Sequence, residues 1–373
     1  MALACGRIIE WIERIAPQAL AEHWDQVGLQ VGHSATEVKK VYLALDLDEA
    51  VLEQALEKEC QMIVLHHPFI FKPLHHLRWD TLQGRLIKKV IENNLQIYVA
   101  HTNLDIARGG VNDVLAEKLG LENVEPLYEN KKEELVKIAY FVPLEDEKKV
   151  RQAIGDAGAG HIGQYSHCTF RTEGTGTFLP LQGANPHIGA VGTIEEVKEM
   201  RVETIVPQKK LKAVLKALFK AHPYEEVAYD IYPLQNEGEK NGLGRIGLLA
   251  TPLAIKDFAE EVKQKLNLTS LRWVGLDVER KVKKIALCGG SGGSTIGHAR
   301  YRGADLLLTG DIKYHEGQEA LALGIDLFDA GHFATEKPAM DRLAQYLQDK
   351  AKEEKRNLEF FVHEPNQDPL RLL

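Results

Sequence analysis

Residues 61–73 read QMIVLHHPFIFKP, and the rest of the chain is organised around this stretch. The run from Met62 to Leu65 is short, apolar and bounded by polar residues, the pattern of a strand buried on both faces of a parallel sheet. Pro68 lacks an N–H and biases His67 away from helical geometry. The strand therefore ends there and presents His66 and His67 in a loop at its carboxyl end, where open α/β sheets place their chemistry. Adjacent side chains in extended chain point apart, which suits one histidine per ion better than two on one ion, so the pair suggests a two-metal site. Two loop histidines that only make hydrogen bonds are the plainer reading of the pair alone.

Before this stretch, Ile8, Ile9, Ile12 and Ile15 recur at helical spacing, WDQVGLQVG (24–32) reads as a glycine-punctuated loop or short strand, and residues 39–46 and 49–58 read as strand and helix. After it, residues 81–93 carry a helical stripe, 95–100 a strand running into HTNLD (101–105), and 111–119 a helix closed by Gly120. This βαβα order predicts a mostly parallel sheet. The texture changes near Leu127, where 128–135 (YENKKEEL) reads as a charged linker. The order from Val136 to Leu234 is βαββαβ, a ferredoxin-like arrangement that looks inserted. Beyond the glycine-rich 238–247, α/β alternation resumes, with strands at 284–288, 305–308 and 325–328, a helix at 338–350 and a last short strand at 360–362. The expected fold is α/β: a discontinuous α/β/α core of two similar α/β halves in residues 1–127 and 238–373, interrupted by an α+β insert in residues 128–237.

A chain of 373 residues exceeds one typical domain, and its net charge of −8 without a basic stripe argues against nucleic-acid binding. Cys5, Cys60, Cys168 and Cys288 show no CxxC spacing, which speaks against a disulfide framework or a cysteine zinc site and fits a reducing cytoplasm. The N-terminus has acidic residues where a signal peptide is apolar, and no run reaches membrane-spanning length. The aromatic residues look scattered, with no base-stacking platform among them.

Imidazole and carboxylate donors suit zinc, iron, manganese or nickel better than calcium. His66, His67, His101, Asp105, His332 and Glu336 all follow expected strands, and His101/Asp105 and His332/Glu336 are each four residues apart. A carboxylate shared by two ions, from Asp105 or Glu336, would hold them about 3.5–4 Å apart. GGSGG (289–293) is a phosphate-nest candidate or else a tight strand-to-helix turn. TGDIKYHE (309–316) offers Asp311, Lys313 and His315 as catalytic candidates beside His101, or else a helix cap and an exposed turn. In the insert, His187, His222, Glu225 and Glu226 could form a second metal or effector site, although turn chemistry around proline explains most of that cluster.

Taken together and in this order, MIVLHHPFIF, HTNLD, GGSGG, TGDIKYHE and GHFATE resemble the Nif-three-like family, dinuclear-metal proteins also called GTP cyclohydrolase 1 type 2 homologues. WDQVGLQVG resembles a family motif too, with Gln26 standing where asparagine is expected, and the insert resembles the PII/CutA-like domain of long bacterial members. The resemblance implies two divalent metal ions per chain, zinc first among the candidates. His66, Asp105 and Glu336 would hold one and His67, His332 and Glu336 the other, with His101 close by. It also implies a ring-shaped homohexamer with the inserts as lids, and hydrolytic opening of the guanine imidazole ring of GTP. The residues themselves select no base, so the reading is a metal-dependent hydrolase of a small nucleotide-like substrate. A non-catalytic metal-handling or small-molecule-sensing protein is the alternative the PII-like insert prompts. A nucleic-acid clamp is prompted only by the implied ring.

Overall fold

The computed structural model describes residues 2–238, 240–364 and 368–370, and the chain falls into two compact units, Met1–Lys131 with Asn241–Leu373, and Lys132–Lys240. In the first unit the MIVL run forms the strand Met62–Leu65, with all four residues buried. It is the middle strand of a five-stranded sheet ordered Glu359–Val362, Lys40–Ala44, Met62–Leu65, Gln96–Val99 and Gly28–Val31. The first four strands are parallel and the last is antiparallel. Strand alternation sends Leu43, Met62, Val64 and Tyr98 against the helices Cys5–Ile15 and His332–Glu353. It sends Tyr42, Ile63, Leu65 and Val99 against Glu49–Glu57 and Leu82–Glu92. Helices cover both faces, which is why the strand reads as unbroken apolar sequence.

A second sheet in the same unit runs Arg272–Val274, Asp326–Asp329, Leu306–Gly310, Lys281–Ser291, Lys240–Ala254 and Glu122–Lys132. Asp326–Asp329, Leu306–Gly310 and Lys281–Ser291 are parallel. Ile285, Leu287, Leu308 and Phe328 pack with residues of the helices Val111–Leu119 and Ile255–Leu266. Ala286, Leu307 and Leu327 pack with Ile296–Tyr301 and Tyr314–Leu323.

Register places the chemistry. Ala44 is level with Leu65, and Leu65 with Val99, so the residues that follow each strand leave the sheet side by side. In the second sheet Thr309 is level with Asp329 and Ser291 with Gly310.

Two expectations change. Residues 128–135 are not a linker: Glu122–Lys132 is an edge strand and Leu135–Pro143 the next one. A row of charges on an edge discourages pairing with other chains, and in sequence it looks like a solvated tether. The helix expected at 338–350 runs from His332 to Glu353 with Pro338 inside it. Proline there costs one backbone bond, which a 22-residue helix with a buried face tolerates.

The second unit has the order β-α-β-β-α-β, with helices Glu147–Asp156 and Leu211–Ala221. Its antiparallel sheet is ordered Tyr229–Pro233, Leu135–Pro143, Glu195–Pro207, Phe170–Phe178. Ile138, Tyr140, Val202 and Val206 pack with Val150, Ile154, Val214 and Leu218 of the two helices.

Arg245 is 1% exposed in the first unit. Its Nε and Nη2 donate to the two Asp113 carboxylate oxygens at 2.6 and 2.9 Å, and its remaining donors reach the carbonyls of Gly242, Gly244 and Ala107. It thus pins the turn that follows Thr102–Ile106, the short helix carrying Asp105. Arg245→Met strands a carboxylate and several carbonyls, which costs about 3–5 kcal/mol. The expected result is a thermal unfolding midpoint lower by roughly 5–15 °C; an unchanged midpoint would show that the clamp stabilises nothing.

Candidate metal centre

Six side chains converge where the carboxyl ends of the two sheets meet. His66 and His67 follow Met62–Leu65, His101 and Asp105 follow Gln96–Val99, and His332 and Glu336 occupy the first turns of His332–Glu353. The His66 ring centroid lies 5.0 Å from that of His67 and 5.2 Å from that of His101, and His67 lies 5.1 Å from His332.

His66 is fully buried, and its Nδ1 lies 2.8 Å from the Ala100 carbonyl. A carbonyl only accepts, so Nδ1 carries the proton and a neutral ring turns the Nε2 lone pair inward. That Nε2 stands 3.5 Å from Asp105 Oδ1 and 3.6 Å from Glu336 Oε1, too far for normal hydrogen bonds. Among the described residues His66 Nε2 and Asp105 Oδ1 are buried without a hydrogen-bond partner. Three inward-facing lone pairs repel one another unless a proton or a cation lies between them.

A second group lies beside the first. Glu336 Oε2 is 3.0 Å from His67 Nε2, and Glu336 Oε1 is 3.1 Å from His332 Nε2. The two imidazole nitrogens are 3.2 Å apart. Three groupings bring ligand atoms within 4.8 Å of one another: His66/Asp105/Glu336, His67/His332/Glu336 and His66/His67/His101. These buried imidazole and carboxylate groups can hold a metal ion.

Electrostatics match the geometry. Burial alone would keep the His67 ring neutral, but Asp46 and Glu336 outweigh it and lift its pKa to about 10. Glu336 raises His332 to about 9, against burial. Burial lowers His66, and the Glu336 and Asp105 charges more than restore it. Burial pushes the Asp105 carboxyl up to about 6, while Glu336, despite its burial, is held well below the usual carboxylate range by His66, His332 and His67. Glu336 is therefore the anion on which the cluster closes.

Each outer imidazole is aimed by its own carboxylate. His67 Nδ1 lies 2.9 Å from Asp46 Oδ1, His332 Nδ1 lies 2.7 Å from Asp311 Oδ2, and His101 Nδ1 lies 2.8 Å from Asp25 Oδ1. Such partners fix tautomer and ring angle in metal-site histidines. Sequence reasoning missed Asp46 and Asp25. Asp46 carried a usable signal, since it follows a strand parallel to Met62–Leu65; Asp25, in a loop, carried none.

The remaining candidates separate cleanly. Asp311 reaches the cluster through His332, whereas Lys313 and His315 are exposed and His315 Nδ1 pairs with Gln318. The amides of Gly289, Gly290 and Gly292 donate to Asn112 Oδ1, Thr335 Oγ1 and Thr309 Oγ1, so GGSGG is not an open phosphate nest. Its value is steric: a Cβ on Gly290, whose φ is +64°, would lie 2.2 Å from Glu336 Oε1. In the insert, His222 Nε2 donates to the Phe141 carbonyl and Nδ1 accepts from the Tyr224 amide. Both ring nitrogens are used structurally, and no metal-competent grouping occurs there among the described residues.

Fold and site define a class: an α/β protein with a buried histidine–carboxylate cluster competent to hold metal. The chain belongs to the Duf34/NIF3 (NGG1p interacting factor 3) family, whose model matches residues 3–369. A relative from Bacillus subtilis, called GTP cyclohydrolase 1 type 2 homolog, is 45% identical over 367 residues, covering 98% of each chain. The crystal structure of a Bacillus cereus protein related to NIF3 is 44% identical with a TM-score of 0.94, covering 100% of this chain and 99% of that one. A Staphylococcus aureus structure is 29% identical with a TM-score of 0.79 and the same coverage. No helix among the described residues is long and apolar enough to cross a membrane.

The raised histidine pKa values carry a sign. In protein stripped by a chelator, protonated His67 and His332 contribute stability that is fully present below about pH 6.5 and is lost as pH rises through about 9 to 10. A cation held by these rings would displace those protons, so zinc added at pH 7.5 should release protons and bind more weakly as pH falls. Calorimetry in buffers of different ionisation enthalpy reads the release; a buffer-independent heat would mean neutral rings.

Proposed function

We propose that His66, Asp105 and Glu336 hold one divalent cation and His67, His332 and Glu336 a second, zinc first among candidates that include iron, manganese and nickel, and that the protein is a metal-dependent hydrolase of a small nucleotide-like substrate. The observation that carries this is the pair of buried, unpartnered donors, His66 Nε2 and Asp105 Oδ1, turned toward the Glu336 carboxylate. Bound there, such ions would supply Lewis acidity and an activated water near neutral pH. Asp46 and Asp311 hold the His67 and His332 rings at their working angles. His101, its Nδ1 proton directed to Asp25, keeps Nε2 free to take or give a proton at the substrate. The name of the Bacillus subtilis relative supports a GTP-like substrate. The antiparallel sheet and β-α-β-β-α-β order of Lys132–Lys240 support reading residues 128–237 as a ferredoxin-like, PII/CutA-like insert. In this reading the protein is a cytoplasmic homohexamer, a state that light scattering measures directly.

The test is elemental analysis of protein purified without added metal. About two equivalents per chain are expected, with at least one lost in Glu336→Gln. A fully loaded variant would sink the assignment. Formate release from GTP that stops on chelation would support the hydrolase; metal retained with no turnover of GTP or phosphodiesters would turn the reading to a metal-handling or sensing protein.

A further inference from the structure

The structure brings together two aromatic residues that sequence reading left scattered. Trp24 and Phe71 are 49% and 44% exposed, although each has a large apolar ring. Their ring centroids are 6.1 Å apart at 73°. Trp24 also stands 6.2 Å from His101 at 74°, and His101 is 5.2 Å from His66 and 5.6 Å from His67. An unbroken line of rings thus runs from the solvent-facing pair to the histidine cluster.

The backbone beside both rings is anchored. Asp25, next to Trp24, accepts from the Thr102 amide at 3.0 Å and the Thr102 hydroxyl at 2.5 Å while facing His101. Gln30 ties the two loops together. Its Nε2 donates to the Gln26 carbonyl at 2.9 Å and the Ile70 carbonyl at 3.1 Å, and its Oε1 accepts from the Ile70 amide at 2.7 Å. Phe71 follows Ile70 directly. Two loops separated by some forty residues are cross-braced, and what the bracing presents is a corner of two nearly perpendicular rings. A ring pair fixed this way but left half open suits a planar guest, which can stack on one face and meet the other ring edge-on. Its adjacency to His101 places the guest against the cluster, unlike an apolar patch elsewhere on the surface.

We propose that Trp24 and Phe71 form the subsite for the planar heteroaromatic ring of the substrate, with Gln30 as the positioning residue that braces it. The inference rests on the reading of the histidine–carboxylate cluster as the reacting centre, and it specifies the substrate class as one that carries a flat, nitrogen-containing ring held against that centre.

The experiment is calorimetric titration of the full-length, metal-loaded protein with guanosine 5′-monophosphate, using ribose 5-phosphate as the ring-less control. Elemental analysis and light scattering are run on the same preparations. Binding of the nucleotide but not of the sugar phosphate is expected. Trp24→Ala and Phe71→Ala should weaken it roughly ten- to a hundred-fold with unchanged metal content, and Trp24→Phe should restore most of it. Gln30→Ala should weaken it less, since both rings remain. Equal affinity in wild type and both alanine variants overturns the proposal, as does tight binding of the sugar phosphate alone or no nucleotide binding to wild type. Alanine variants that change particle mass at unchanged nucleotide affinity also overturn it, by showing that the pair covers a second copy. Failure of the metal reading is separable: it appears as missing metal in wild type, whatever the nucleotide titration shows.

Discussion

A carboxylate that is almost wholly out of water, Glu336, sits among three imidazoles. Removing such an anion from water costs several kcal/mol unless positive charge replaces the lost hydration. Among the described residues, the imidazoles of His66, His67 and His332 are the groups in ion-pair reach of it that can carry a proton or hold a cation, so the local structure is arranged around supplying them. Gly290 leaves the carboxylate its space, and Thr335, one residue before Glu336, accepts from the Gly290 amide and donates to the carbonyls at the helix start. The helix must begin at His332 for His332 and Glu336 to share a face one turn apart.

Outside the cluster, three carboxylates repeat one device. Asp46, Asp25 and Asp311 each take the far nitrogen of an imidazole, and all three come from segments near strand ends. His66 differs, with a backbone carbonyl as its partner. It is the fully buried member, where a further carboxylate would add another desolvated anion. Charge thus decreases inward in the supporting shell while it increases in the cluster itself.

How much of this was legible in sequence follows from the range of the forces involved. The strand Met62–Leu65 was read to the residue because burial on both faces and Pro68 are local signals. The six clustered side chains were legible because each follows a strand, and parallel register makes strand ends neighbours. Of the partners, Asp46 follows a strand parallel to Met62–Leu65 and shared that signal, whereas Asp25 sits in a loop whose approach to His101 no periodicity encodes. The same holds for Trp24 and Phe71, whose meeting depends on Gln30 crossing between loops. The helix start was missed because Pro338 is a strong stop signal in sequence and a tolerable defect in a long packed helix. Lys313 and His315, whose residue types fit proton transfer, are exposed at the start of the helix Tyr314–Leu323.

The site joins residues from both ends of the chain, although Lys132–Lys240 lies between them as a unit of its own. What makes this compatible is the pairing of the strands on either side of that unit. Glu122–Lys132 and Lys240–Ala254 are neighbours in the six-stranded sheet, so the chain leaves and re-enters through adjacent strands. At Gly242 the approach leaves no room for a side chain, since a Cβ there would lie 2.1 Å from the Tyr128 carbonyl oxygen. A loop of any size between paired neighbours costs only its closure entropy, which grows slowly with length. Arg245 lies three residues beyond Gly242 and clamps the turn after Asp105. The strand that resumes the core after the second unit thereby fixes a carboxylate contributed before it, and the cluster is completed by the same pairing that closes the sheet.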